Sequence, residues 1–205
     1  MPTYKLYYFN MKGSAELTRW IFAQAGVPYE DIRVTKEQWV EMKPTTPNGS
    51  LPVLEVDGNK LPGSGPISRY VAEQHGLAGS DDVENAQIAG IDDLLTDVVN
   101  RFIRFWFEKD EAVKAQMKKD IEEKHLPNYL TFLEKTITTN AAPEGWLYGK
   151  NVTYVDLRLA MLAEIIQEFS DKVLGPYPGI SKLKDKVLAL PNIAKWIKER
   201  PQTDR

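Results

Sequence analysis

The chain has 205 residues, 26 Lys and Arg against 29 Asp and Glu, and a formal net charge of −3, which argues against nucleic acid as its main partner because phosphate binding needs a basic surface. It contains no cysteine; disulfides, thiolate metal sites and a cysteine nucleophile are excluded, and any thiol in its chemistry comes from a substrate. Hydrophobic residues make up 42% and charged residues 27%, an ordinary balance for a soluble protein, and no apolar run approaches the roughly 18 residues of a membrane span.

The start, MPTYKLYYFN, lacks the basic stretch and long apolar core of a signal peptide, so the expected compartment is the cytoplasm. Within it YKLYYF (4–9) reads as an aromatic-rich strand. AELTRWIFAQAG (15–26) places Leu17, Trp20, Ile21 and Ala25 at helical spacing, and Gly26 suits the end of that helix. YEDIRV (29–34) is a second strand and KEQWVEMK (36–43) a short helix or turn. LPVLEV (51–56), then Asp57-Gly58, then NKL reads as strand, tight turn, strand.

LPGSGPISRY (61–70) follows, opening a helix that runs to about His75. Ser64 suits an N-cap, its hydroxyl accepting an orphan amide of the first turn. Pro66 falls in that turn, where no backbone donor is missed. Gly63 and Gly65 leave the amides bare, and a helix start with uncovered amides suits an anion. The plainer alternative is a well-capped helix start and nothing more. The order is β-α-β-α-β-β-α, an α/β domain over residues 1–76.

GLAGSDD (76–82) has the composition of a linker, placed at 77–82, and from Val83 to residue 205 the pattern is all helical. IDDLLTDVVNRFIRFWF carries apolar residues on more than one face, as a helix buried between neighbours does. DEAVKAQMKKDIEEKHLPNYLTFLEKTI predicts a second long helix, bent near Pro127. TYVD (153–156) is a capping box that opens DLRLAMLAEII, with Asp156 standing in for the usual Glu. PGISKLKDKVLAL and PNIAKWIKER are two further helices, each with a proline near its start.

The ordered set YKLYYFNMKGSAELTRWIF, LPVLEVDG, SRYVAEQHGLAG, GWLYGKNVTYVD and WIKERPQT spans nearly the whole chain. The first domain resembles a thioredoxin-like domain, and the chain resembles a cytosolic glutathione transferase. The nearer resemblance is to the sigma class, which includes the haematopoietic prostaglandin D synthases and the cephalopod lens S-crystallins. That resemblance implies a glutathione transferase fold, a homodimer, and conjugation of glutathione to small hydrophobic electrophiles. Glutathione enters as co-substrate, and no cofactor, metal, nucleic acid or membrane partner is expected.

The resemblance also implies roles for particular residues. Tyr8 donates its hydroxyl hydrogen bond to the sulfur of glutathione; Tyr4 and Tyr7 have the same chemistry, but the resemblance selects Tyr8. Trp39 and Lys43, four apart and on one helical face, meet the glycine carboxylate. A cis bond between Leu51 and Pro52 turns the backbone of Leu51 toward the glutathione cysteine. Ser64 and the amides of its helix take the γ-glutamyl carboxylate, which joins the bare helix start to a ligand. Asp97 reaches the γ-glutamyl ammonium bound by the partner subunit. The electrophile is expected against Met11, Gly13, Ser14, Arg104 and Phe105.

Departures from the family pattern qualify these roles. Gly63 stands where a glutamine is usual, so one polar contact to glutathione is absent. Ser14 replaces the arginine of the prostaglandin synthases and Arg104 their tryptophan, which argues against prostaglandin isomerisation as the main activity. In some prostaglandin synthases the acids neighbouring the position of Asp97 also bind a divalent ion; here Asp92 and Asp93 lie nearby but Thr96 interrupts the cluster, so no metal is expected. His75 and His125 lie fifty positions apart and suggest no metal site. The alternatives are a prostaglandin D isomerase and a non-catalytic, crystallin-type glutathione-binding protein.

Overall fold

The computed structural model describes residues 2–139 and 145–203. The chain divides into a unit running to Ala78, which also takes in the segment from Leu190, and a unit spanning Gly79–Ala189.

In the first unit β1 (Tyr4–Phe9) turns Tyr4, Leu6 and Tyr8 inward and leaves the residues between half-buried, the period of two expected of a strand. It pairs in parallel with β2 (Glu30–Val34) and antiparallel with β3 (Val53–Val56), which pairs antiparallel with β4 (Asn59–Pro62). The sheet order is β2-β1-β3-β4, so β1 is an interior strand. Asp57 and Gly58 both have positive φ, 47° and 86°, as a tight two-residue hairpin turn requires.

Helix α1 (Glu16–Ala25) buries Leu17, Trp20, Ile21 and Phe22 and stops at Gly26, whose φ of 67° supplies a left-handed cap. Helix α2 (Lys36–Met42) starts at Thr35, which exchanges hydrogen bonds with Gln38 in a capping box. Helix α3 (Ser64–Gln74) buries Ile67, Ser68, Val71 and Ala72. A buried bond of 3.0 Å between the hydroxyls of Thr18 and Ser68 links α1 to α3.

In the second unit α4 (Asp82–Phe107) begins at Asp81, whose carboxylate accepts the Glu84 N–H at 2.8 Å. The long helix expected to bend near Pro127 runs without a break as α5 (Glu111–Asp120), a π turn over Ile121–His125, and α6 (Leu126–Thr139). Pro127 has no N–H to return to the preceding turn and its ring crowds the carbonyl four residues back. Widening that turn, with the Leu126 N–H bonding the Ile121 carbonyl, accommodates the ring. Helices α7 (Tyr154–Phe169) and α8 (Pro178–Leu188) complete the unit.

Asp156 is fully buried and reaches back as expected: its carboxylate accepts the N–H and hydroxyl of Thr153, both at 2.7 Å, and the Leu147 N–H at 2.8 Å. Burial pushes its carboxyl up to about 6 against the pull of these donors.

The remaining helix, α9 (Pro191–Glu199), groups by its contacts with the first unit. It packs with the first unit because it brings donors that unit needs. Glu16 is 1% exposed, and a buried carboxylate is costly unless it is paired and hydrogen-bonded. Trp196 Nε1 donates to Glu16 Oε1 at 2.9 Å and Arg200 Nη1 donates to the same oxygen at 2.8 Å. Asn192 adds a bond of 3.2 Å to the Gln24 carbonyl, and Ile193 is fully buried.

Candidate functional site

Tyr8 lies near the end of β1, paired with Arg33 of β2, and its side chain is 8% exposed. Beyond the strand the chain turns through Met11 and Lys12 into a 3₁₀ turn over Gly13–Ala15. This loop brings the Ser14 N–H to the Tyr8 hydroxyl, which accepts it at 3.1 Å. A hydroxyl that accepts an N–H keeps its own hydrogen for another acceptor. The approach depends on Gly13: a Cβ there would stand 2.6 Å from the Tyr8 hydroxyl oxygen, and its φ is +43°. Gly13 and Ser14, expected against the electrophile, are thus fitted directly to the phenol. Met11 is 40% exposed, and Ser14 is also exposed.

Trp39 on α2 is half-buried, edge-on to Phe9 with ring centroids 6.0 Å apart. Lys43 lies one turn on, its N–H bonded to the Trp39 carbonyl, and its side chain is exposed. Its Cε passes 3.8 Å from where a Cβ of Gly49 would stand, so the lysine runs beside the loop that leads to Leu51.

The Leu51-Pro52 bond is cis, as the resemblance implied. The Pro52 carbonyl accepts the Gly63 N–H at 3.2 Å, which holds this bend against the start of α3. At that start the expectation for Ser64 needs correction. Gly63 is the N-cap, with φ 87° and ψ 131°, and Ser64 is the first helical residue; no side chain caps the helix. A serine already in helical geometry cannot fold its hydroxyl back over the following amides as an N-cap does. The first backward bond is from the Ile67 N–H to the Gly63 carbonyl, at 3.1 Å. The backbone at Gly63 also explains its identity, since that conformation is essentially restricted to glycine.

Asp97, Arg104 and Phe105 all lie on α4 in the second unit. Asp97 and Arg104 are exposed. Phe105 is half-buried, edge-on to Phe169 at 5.1 Å, with the Lys114 Nζ 5.5 Å from its ring centre. Phe102 is fully buried core. The acids beside Asp97 are not equivalent: Asp92 is buried and its carboxylate faces Arg158 Nε at 2.8 Å, whereas Asp93 is exposed.

Sequence reasoning passed over Glu16 and Arg19. Both are buried, at 1% and 0% exposure. Arg19 Nη1 donates to the Met11 carbonyl at 2.8 Å, the Lys12 carbonyl at 3.2 Å and Glu16 Oε2 at 3.1 Å, while its Nε donates to Asp31 Oδ1 at 3.0 Å. The signal available was a carboxylate and a guanidinium three apart in ELTRWIFA, otherwise apolar enough to be core.

Two family models match the chain: the glutathione S-transferase N-terminal domain over residues 3–73 and the glutathione S-transferase C-terminal domain over residues 96–200. The chain is 39% identical over 203 residues to a haematopoietic prostaglandin D synthase of Gallus gallus, covering 99% of each chain. It is 39% identical over 214 residues to glutathione S-transferase 1 of Ascaris suum, again covering 99% of each. Among solved structures, monomeric Na-GST-3, a glutathione S-transferase of Necator americanus, matches with a TM-score of 0.90 at 34% identity, covering 99% of this chain and 100% of that one.

Proposed function

The chain belongs to the glutathione S-transferase family, and from that premise we propose that it conjugates the thiolate of reduced glutathione to hydrophobic electrophiles, with Tyr8 as the catalytic residue. The observation that carries the reading is the buried Tyr8 hydroxyl, which accepts the Ser14 N–H at 3.1 Å and so offers its own hydrogen to an incoming sulfur. A free thiol with pKa near 8.5 is only about 3% ionised at pH 7. A hydrogen bond to the charged form is worth about 1.5–3 kcal/mol, or roughly one to two pKa units. That raises the nucleophilic thiolate to tens of percent without a general base.

In this reading the rest of the tripeptide lies along the first unit. Trp39 and Lys43 meet the glycine carboxylate with an indole donor and a cation. Leu51 presents its backbone to the cysteine. Ser64 gives its hydroxyl to the γ-glutamyl carboxylate, beside helix amides that no side chain caps. We further assign the protein to the sigma class as a cytoplasmic homodimer acting in detoxification, with glutathione as co-substrate and no cofactor. The test is steady-state conjugation of glutathione to 1-chloro-2,4-dinitrobenzene, run beside retention on immobilised glutathione. Turnover supports the reading; retention without turnover favours a crystallin-type binding protein.

A second reading, glutathione-dependent prostaglandin isomerisation, is favoured by the 39% identity to a prostaglandin D synthase. Ser14 and Arg104, which replace the synthases' arginine and tryptophan, weigh against it. Glutathione-dependent formation of prostaglandin D outpacing conjugation would reverse the order of the two.

A further inference from the structure

We infer that Arg19 is a positioning residue for Tyr8: it holds the Met11–Ser14 loop so that the Ser14 N–H meets the phenol, and thereby sets the acidity of the bound thiol. This rests on the reading of Tyr8 as the donor to sulfur. Met11, Gly13 and Ser14 are exposed on the outer side of the loop, and the close contact of Gly13 is with the Tyr8 phenol itself. One local bond, from the Met11 N–H to the Phe9 carbonyl at 2.7 Å, closes its first turn. At its far end the Glu16 N–H returns to the Gly13 carbonyl, and between the two ends Arg19 Nη1 donates to the carbonyls of Met11 and Lys12.

Arg19 suits this work because it is itself immobilised. Glu16 of α1 and Asp31 of β2 grip its planar fork, and Asp31 is held in turn by Arg33 Nε at 3.0 Å. Trp20 Nε1, Trp196 Nε1 and Arg200 Nη1 all donate to Glu16 Oε1. Burial alone would raise the Glu16 carboxyl, but the Trp196 and Arg200 donors and the Arg19 cation outweigh it, so the group stays ionised below the usual carboxylate range. A continuous line of polar contacts therefore joins α9 to the Tyr8 hydroxyl. Arg19 is fully buried and out of reach of a ligand, so its influence on sulfur runs through the loop and through the Tyr8 ring, whose centre lies 5.9 Å from the guanidinium carbon. A phenol that accepts an N–H is polarised into a stronger donor.

The experiment measures the pKa of bound glutathione by thiolate ultraviolet absorbance in Arg19→Lys, Trp196→Phe, Tyr8→Phe and the double variant Arg19→Lys/Tyr8→Phe. Lysine keeps the charge but cannot hold two carboxylates and two carbonyls from one plane. Arg19→Lys is expected to raise the thiol pKa by about 0.3–1 unit, the share of one neutral hydrogen bond. Trp196→Phe, which loses only one donor to Glu16, should give a smaller shift of the same sign. In the Tyr8→Phe background the Arg19→Lys shift should vanish, because both act on one path. A folded Arg19→Lys with unchanged thiol pKa, or a shift that persists without the Tyr8 hydroxyl, overturns the inference. If Arg19→Lys does not fold, Trp196→Phe decides by the same criterion. Tyr8→Phe with no shift overturns the reading of Tyr8 itself, and this inference with it.

Discussion

Replacing Gly13 with alanine adds one methyl group beside the phenol. The new Cβ would stand 2.6 Å from the Tyr8 hydroxyl oxygen, 2.8 Å from Cε1 and 3.1 Å from Cζ. All three lie inside normal contact distance, so either the ring or the loop must move. The backbone resists as well: φ is +43°, and left-handed geometry costs an L-residue about 1–2 kcal/mol. Losing the Ser14 bond to the phenol removes a further 0.5–1.5 kcal/mol or so. Gly13→Ala should therefore lose about 1.5–3.5 kcal/mol of stability, read as a fall in melting temperature of roughly 2–4 °C per kcal/mol. A displaced hydroxyl forfeits its bond to sulfur, worth about 1.5–3 kcal/mol, so conjugation near neutral pH should fall roughly ten- to a hundred-fold. The pH–rate profile should shift to higher pH. Gly58→Ala is the control: its φ of +86° carries similar backbone strain, but nothing lies within 4 Å of its Cβ. That variant should melt lower yet keep wild-type kinetics. If Gly13→Ala keeps the wild-type turnover and pH profile, the close fit of the loop to the phenol does not govern the chemistry.

Gly63→Gln sets a recovered polar contact, about 0.5–1.5 kcal/mol, against strain at φ 87°. The melting temperature should fall and calorimetry should show glutathione binding improved by less than about tenfold; a stable variant binding a hundredfold tighter would contradict the strain argument. Asp97→Ala should weaken glutathione about two- to fivefold, the scale of an exposed ion contact, while leaving a dimer, and a monomer in sedimentation equilibrium that still conjugates glutathione would remove Asp97 from the site. Asp156 carries a pH signature. Its folded value, about 6, lies above that of an unfolded carboxyl, so the folded state gains protons and this group's contribution to stability rises as pH falls through 6, levelling off near 4. Urea midpoints between pH 5 and 7.5 should show that slope in the wild type and lose it in Asp156→Asn; equal slopes in both would refute it.

The strands and most helices were legible because their cues are local. Alternation in YKLYYF, the helical spacing of Leu17, Trp20 and Ile21, Gly26 as a stop and the Asp156 box each act within a few residues. Among the candidate site residues, Tyr8 ends up near the close of its strand, Trp39 and Lys43 lie one helical turn apart, and the Leu51-Pro52 bond is cis. What stayed hidden depends on distant partners or on backbone angles. Ser64 read as a cap because serine usually is one, but φ at Gly63 moves the cap one position back. Glu16 and Arg19 drew no notice, since nothing nearby in the sequence announces that Trp196 and Arg200 return to Glu16. Gly13 looked like pocket lining, because the distance to Tyr8 exists only once the loop has turned.

The attachment of α9 to the first unit bears on how the polypeptide is made. Glu16 and Trp196 are 180 residues apart in sequence, and the whole of Gly79–Ala189 is synthesised between them. A nascent chain that has emerged only as far as Ala78 has its sheet and first three helices but a Glu16 carboxylate short of two donors. Closing that contact means closing a very long loop, late and at an entropic cost that grows only slowly with length. The contacts of Glu16 with α9 are thus completed only after the helical unit has been translated.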